Sequence, residues 1–332
     1  MSVEITALDP DEDRDRWNRI VERADRTNPF YRGEAITLQA KETATTPHLL
    51  VGYKGEEPVG LFPVFEYRRG PVSGAFSPAP YSWSIYLGPA PANLAKLKRR
   101  KADRRVRRFL EGSLAWIDEA FGPVYSQFDV AAIADVRAFE WAGYDVSPSF
   151  TYVVDLEGDP EELLATFSSD ARSNVRSADG YVVTEGDRDD VARIVEQVRA
   201  RYRSQGKPFH LTGEFARSLY DALPEGRLRP YVCLVDGEFV GGILIVESAT
   251  TRYRWQGGVK TDVELPVNDV LDWEVMRDGL EAGLDRYDLV GAGVPSINRY
   301  KAKFNPRLEG YYTVTGGSYG VDLLVDRYRK LR

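Results

Sequence analysis

Arg172 and Arg176 lie four residues apart in a segment with helical character. That spacing puts both guanidinium groups on one helix face, about 6 Å apart. Such a pair makes a fork for a phosphate or carboxylate, unless it is consumed by neighbouring acids such as Asp170 and Asp179. Tyr253-Arg254-Trp255-Gln256 reads as a strand, whose alternation sends Tyr253 and Trp255 to one side and Arg254 and Gln256 to the other. The aromatic pair can wall a pocket or fill a core. Asn268 and Asp269 stand where the next helix begins and are expected to cap it, with Asn268 also a candidate ligand. Asp288 ends a short strand, where a carboxylate can orient an amine, act as a base or serve the fold. A run from Lys96 to Arg108 holds nine basic residues and one acidic one, in a chain whose net charge is −7. Basicity so concentrated against an acidic background fits a polyanion, either tRNA or anionic lipid headgroups. It equally fits the solvated outer face of a helix whose inner face carries Val106, Phe109 and Leu110.

Other chemistries lack their residues. With one cysteine, Cys233, inside the apolar run YVCLV, there is no intramolecular disulfide and no thiolate metal site. The two histidines, His48 and His210, cannot make a metal centre alone. There is no Walker loop, no dinucleotide-binding glycine fingerprint and no nucleophile elbow. The glycine-rich loop that grips a CoA pyrophosphate at a helix start is also missing, since Asp262–Asn268 is acidic and glycine-free. At 332 residues, 43% hydrophobic and 29% charged, the chain has the size of two folded domains. No apolar stretch approaches the roughly 18 residues of a membrane helix. The first seventeen residues are acidic and carry no apolar run, so a cytoplasmic protein is expected. The acid excess and the scarcity of labile residues suit a halophilic or GC-rich microbe.

The elements that must position these residues repeat. LLVGYKGEEPVGLFPVF (49–65) and YVCLVDGEFVGGILIV (231–246) are each an apolar run, a glycine turn and a second apolar run. That is a β-hairpin, recurring about 180 residues on. Helical periodicity precedes each hairpin, over 13–24 and 189–202, and follows it, over 104–119 and 269–284. A short strand closes each set, at 127–130 and 287–290. The fold class is therefore α/β (α+β), in two similar domains divided near residue 150, as 1–150 and 151–332. Asp159-Pro160 opens a helix just past that point.

Several stretches, in this order and spacing, resemble the FemAB/FemX family and its BioF2-like acetyltransferase relatives. They are Thr166–Ala178, Asp236–Gly242, Pro266–Glu274, Arg286–Gly291 and Ile297–Asn305, with Leu61–Val64, Ser77-Pro78 and Leu87–Pro89 in the first half. Tyr300 and Asn305 depart mildly from that pattern, which has Phe and Gly there. The resemblance implies two tandem GNAT-like (acyl-CoA N-acyltransferase-like) domains of mixed sheets flanked by helices, with the active groove in the second. It implies transfer of an acyl or aminoacyl group to an acceptor amine by direct attack. The donor would be a substrate, acyl-CoA or aminoacyl-tRNA, with no permanently bound cofactor. Lys301 occupies the place of the family's lysine. A cation fixed beside the tetrahedral oxyanion of acyl transfer can lower the barrier by about 3–4 kcal/mol. Lysine is rare here, ten against 34 arginines, so its retention points to a need for a compact ammonium. Arg172 and Arg176 would hold an anionic part of a substrate, and Tyr253 and Trp255 would line the groove. Asn268, Asp288 and Tyr300 complete the candidate site. The alternative is a non-catalytic GNAT-fold module binding a nucleotide-linked, tRNA or protein ligand.

Overall fold

The computed structural model of the chain describes residues 3–69, 72–122, 124–177, 180–258 and 265–316. Of the residues named above, Ala178, Asp179 and Asp262–Glu264 lie outside the described residues. The chain forms two compact units. One comprises the described residues through Pro148 together with those from Tyr311 onward, and the other is Ser149–Gly310. The division lies near 150 along the chain, but the described residues from Tyr311 onward, the larger part of the last described strand, fall with the first unit.

The first unit runs β1 (Glu4–Leu8), α1 (Arg14–Val21), α2 (Gly33–Thr43), β2 (Thr46–Lys54), β3 (Glu57–Arg69), β4 (Val72–Ser77), β5 (Ala90–Pro91), α3 (Arg99–Phe121), β6 (Tyr125–Val130) and α4 (Arg137–Trp141). β7 (Asp145–Asp155) spans the division. The second unit continues with α5 (Pro160–Ala165), α6 (Ser169–Arg176), β8 (Tyr181–Glu185), α7 (Arg188–Ser204), α8 (Gly213–Ala222) and β9 (Leu228–Val235). It ends with β10 (Glu238–Glu247), β11 (Thr251–Gly257), α9 (Val267–Glu281), β12 (Arg286–Asp288) and α10 (Pro295–Lys301), and β13 (Arg307–Gly316) closes the described chain.

Strand order in the first unit is β1-β2-β3-β4-β6-β13, antiparallel except for the parallel β4/β6 pair. In the second it is β8-β9-β10-β11-β12-β7, antiparallel except for the parallel β11/β12 pair. The orders match slot for slot, and both are α/β with mixed sheets. A parallel step needs a crossover helix, which α3 supplies once and α9 again. In each unit the last slot is filled from outside its repeat, by β13 in the first and β7 in the second.

The hairpins form as their sequences dictate. β2 pairs β3 in a register that sets Gly52 opposite Gly60, and β9 turns into β10 through Asp236 and Gly237, both at positive φ. The small residues have a packing cause. Phe109 of α3 lies flat on the β2/β3 pair, so a Cβ on Gly60 would come within 2.6 Å of its ring. Phe109, Leu110, Leu114 and Ile117 bury the inner face of α3 over Phe62, Val64 and Phe128. In the second unit Phe167, Leu271, Val275, Met276, Tyr287 and Phe304 form the core beneath α9. Gly60→Ala should therefore lower stability by about 1–3 kcal/mol through overpacking. Combined with Phe109→Leu it should cost less than the two single changes added, which a double-mutant cycle in urea will show.

Candidate active site in the second unit

The geometry starts from a turn. After β12 the chain reverses through Val290 (φ 53°) and Gly291 (φ 79°). Two side chains fix that reversal. Asp288 Oδ1 accepts hydrogen bonds from Thr151 Oγ1 at 2.6 Å and from Val290 N at 2.8 Å. Thr151 Oγ1 in turn accepts from Gly291 N at 3.1 Å. With its amides engaged, the turn offers its carbonyls to Lys301, at the end of α10. Lys301 Nζ donates to Val290 O and Gly291 O, both at 2.7 Å. An ammonium has three donors, so among the described residues one N–H remains unspent.

Lys301 is only 6% exposed. Burial, and next the positive charge of Arg254, push its pKa down to about 8, against the pull of Asp288 and Asp272. Asp288 therefore orders the turn that cradles the lysine and supplies part of its counter-charge. Its carboxylate is buried and committed to that turn.

A second polar centre lies within α9. Asp272 is fully buried and accepts three hydrogen bonds, from Tyr287 Oη (2.6 Å), Arg254 Nε (2.7 Å) and Tyr300 Oη (2.5 Å). Burial and the adjacent carboxylate hold both phenols well above their usual range. Burial opposes the charge on Arg254, and Asp272 more than restores it. Arg254 Nη2 is buried with no hydrogen-bond partner among the described residues. Tyr300, the residue before Lys301, thus ties α10 to α9 and β11. Lys303 adds a second tie, to Asp269 at 3.1 Å and Asp170 at 3.2 Å, and Phe304 packs edge-on against Phe167.

The remaining candidates are not brought to this centre. α6 does carry Arg172 and Arg176, but they form no fork. Arg172 Nη1 donates to the carbonyls of Ala165 (3.1 Å) and Phe167 (2.5 Å), finishing the end of α5. Arg176 pairs with Glu161 at 3.3 Å on the surface. Asn268 and Asp269 do not cap α9. The N-cap is Pro266, without a side-chain hydrogen bond, so both residues fall inside the first turn. Asp269 accepts instead from Asn174 at 2.5 Å and from Lys303. Tyr253 and Trp255 are buried, and the β11 residues that reach α9 are their alternates. Arg252 bonds Val275 O at 2.6 Å, and Arg254 bonds Asp272. Cys233 is a core thiol, its pKa raised to about 11 by burial. An open cavity of about 910 Å³ lies between α7 and α8, lined by Asp187, Arg193, Thr212 and Arg217 among others. It contains none of the candidates.

Arg254, Asp272 and Tyr287 are the members of the site that sequence reasoning passed over. Their signal was a carboxylate between Leu271 and Trp273 within an apolar stretch of helix, with an arginine on the strand side facing it. Chemically, the centre is a fixed ammonium beside a buried guanidinium, each with donor capacity to spare. That suits it to meet negative charge developing on an oxygen.

Residues 166–302 match the model of the acetyltransferase (GNAT) domain. FemX has the same fold over 93% of this chain and 96% of its own, at a TM-score of 0.71 and 12% identity. The chain is an acyltransferase of the GNAT fold, FemX-like in architecture. The acyltransferase also shares its fold with the C-terminal domain of a protein described as a lysylphosphatidylglycerol synthetase from Agrobacterium fabrum. That match has a TM-score of 0.57 and 14% identity, over 96% of this chain and 95% of the other. L-PGS from Bacillus licheniformis matches at 0.52 and 13%, over 88% and 94%. No curated protein sequence matches the acyltransferase significantly.

Removing Asp272 strands a buried guanidinium and two phenols. Asp272→Ala should destabilise the acyltransferase by about 3–5 kcal/mol. The double change Arg254→Met/Asp272→Leu should recover much of that loss in chemical denaturation. Tyr300→Phe, which removes one hydrogen bond and keeps the ring, should cost about 1 kcal/mol.

Proposed function

We propose that the acyltransferase works in the FemAB manner. An acceptor amine attacks the carbonyl of a bound ester or thioester donor directly, and Lys301 stabilises the oxyanion. The supporting observation is the Lys301 cradle: a nearly buried ammonium fixed by two carbonyls at 2.7 Å, with one N–H left over. The nitrogen forms its bond to the carbonyl carbon, the oxygen takes the charge, and collapse expels the alcohol or thiol of the donor. The attacking amine must shed a proton, which leaves with the expelled group or through water. A preorganised ammonium needs no reorientation as the charge appears, and its dry surroundings strengthen the attraction.

The ammonium must be charged to act, and its pKa is held near 8. The rate should therefore be greatest below that value and fall as pH rises through about 8. A lysine acting as a base would give the opposite limb. Donor candidates are an acyl-CoA and an aminoacyl-tRNA, to be told apart by calorimetry with each. With the productive pair in hand, Lys301→Ala should lower kcat by about 10²–10³ with KM for the donor little changed. Unchanged turnover in a folded Lys301→Ala protein would remove the role and favour the binding-module reading.

A further inference from the structure

The mechanism leaves the basic segment unused. All nine of its basic residues lie in the first unit, at and before the start of α3. Arg105 pairs with Glu57 at 3.1 Å and Arg107 with Glu111 at 3.5 Å, while Arg108 has an interaction of its own. The other six are Lys96, Lys98, Arg99, Arg100, Lys101 and Arg104. All are exposed, and none has an ionic partner among the described residues. Four of them, Arg99, Arg100, Lys101 and Arg104, fall within about 8 Å of helix at its start, and Lys96 and Lys98 lie just before it. That is where the helix dipole is positive and added cations are unfavourable. The N-cap, Lys98, makes no side-chain cap, and the first turn holds no acid that would ease the repulsion. The one acid of the segment, Asp103, lies in the second turn, so the basic residues there far outnumber it.

A second feature lies alongside. α4 packs on α3, and its Arg137 is close enough to Asp103 for the charges to act on each other. Beyond Arg137 on α4, Trp141 is 61% exposed, with the guanidinium 5.5 Å from its ring centroid. We propose that this face docks on an anionic lipid surface, with the six free cations among the headgroups and Trp141 at headgroup depth. Clusters of four to eight basic residues bind such surfaces with about 1 kcal/mol each, and tryptophan favours the boundary between headgroup and hydrocarbon. A single-stranded nucleic acid asks for a charged track with open aromatic faces to stack its bases. Here the cations form one compact cluster, and Arg137 covers a face of the nearby indole. Among the described residues no helix is long and apolar enough to cross a membrane, so the attachment is peripheral. It places the enzyme where a membrane-borne acceptor or donor would be met, and it stands whether or not Lys301 acts as proposed.

The test is co-sedimentation of the full chain with phosphatidylcholine vesicles, with and without phosphatidylglycerol. Wild type should pellet with the anionic vesicles alone and be released by salt. The triple variants Arg99→Gln/Arg100→Gln/Arg104→Gln and Lys96→Gln/Lys98→Gln/Lys101→Gln should each weaken binding about a hundredfold, near fivefold per charge. Trp141→Ala should weaken it without changing the salt dependence. The proposal is overturned by failure of wild type to pellet, by equal binding to neutral vesicles, or by wild-type binding in both triple variants. It is overturned equally if transfer RNA, added as a competitor, strips the protein from anionic vesicles at matched phosphate concentration.

Discussion

A lysine ammonium taken out of water must find oxygen atoms to replace its hydration, or it gives up its proton. Much of the second unit can be understood as meeting that demand at Lys301. Two carbonyls must converge on one nitrogen, so the chain after β12 adopts a tight reversal. The reversal needs a left-handed residue at Val290 and a glycine beyond it. Those amides must be satisfied, which engages Asp288 and, from β7, Thr151. Position along the helix matters equally, because α10 has only seven residues. It is held by its neighbours, through Tyr300 on Asp272 and Lys303 on Asp269. The result is an ammonium that is dry yet charged at neutral pH, which is the condition for strong electrostatic action.

The two units share strand order but treat the crossover helix differently. The buried face of α3 carries Phe109, Leu110, Ser113, Leu114 and Ile117. The buried face of α9 includes two carboxylates, Asp269 and Asp272. Each of these receives several donors, at least one of them cationic. The polar chemistry thus collects in the second unit, which is where the GNAT match falls. Among the described residues the buried polar side chains of the first unit are uncharged, Asn28, Gln39 and Ser84 among them, and its surface carries a concentration of positive charge at the start of α3. A buried carboxylate is costly unless fully satisfied. The completeness of the set around Asp272 is therefore what lets it organise its surroundings.

Local patterns were legible in the amino-acid sequence because they are local. Apolar runs about a glycine turn became β2/β3 and β9/β10. Helical stripes became α1, α3, α7 and α9, and Asp159 caps α5 in a reciprocal box with Glu162. The doubled order followed from these. What could not be read was where long side chains end. Arg172 and Arg176 have the spacing of a fork, but a guanidinium can fold back onto nearby carbonyls, and Arg172 does so. Asn268 looked like a cap because the residues before it gave no rival, yet the helix begins two residues sooner than such a cap would start it, behind Pro266. The Asp272 centre joins positions 254, 272, 287 and 300, whose meeting depends on tertiary packing rather than on any periodicity. The exchange of last strands was equally invisible, since β7 and β13 each look like ordinary continuations of the chain.

The claim at the centre of this account is that Lys301 carries its charge in a dry cradle. Its side chain can be followed directly by isotope-labelled lysine NMR across pH, with the resonance assigned by its loss in Lys301→Arg. The account predicts one lysine titrating near pH 8, apart from the others. A Lys301 resonance that titrates near the ordinary value of 10.5 would place the ammonium in water and contradict it.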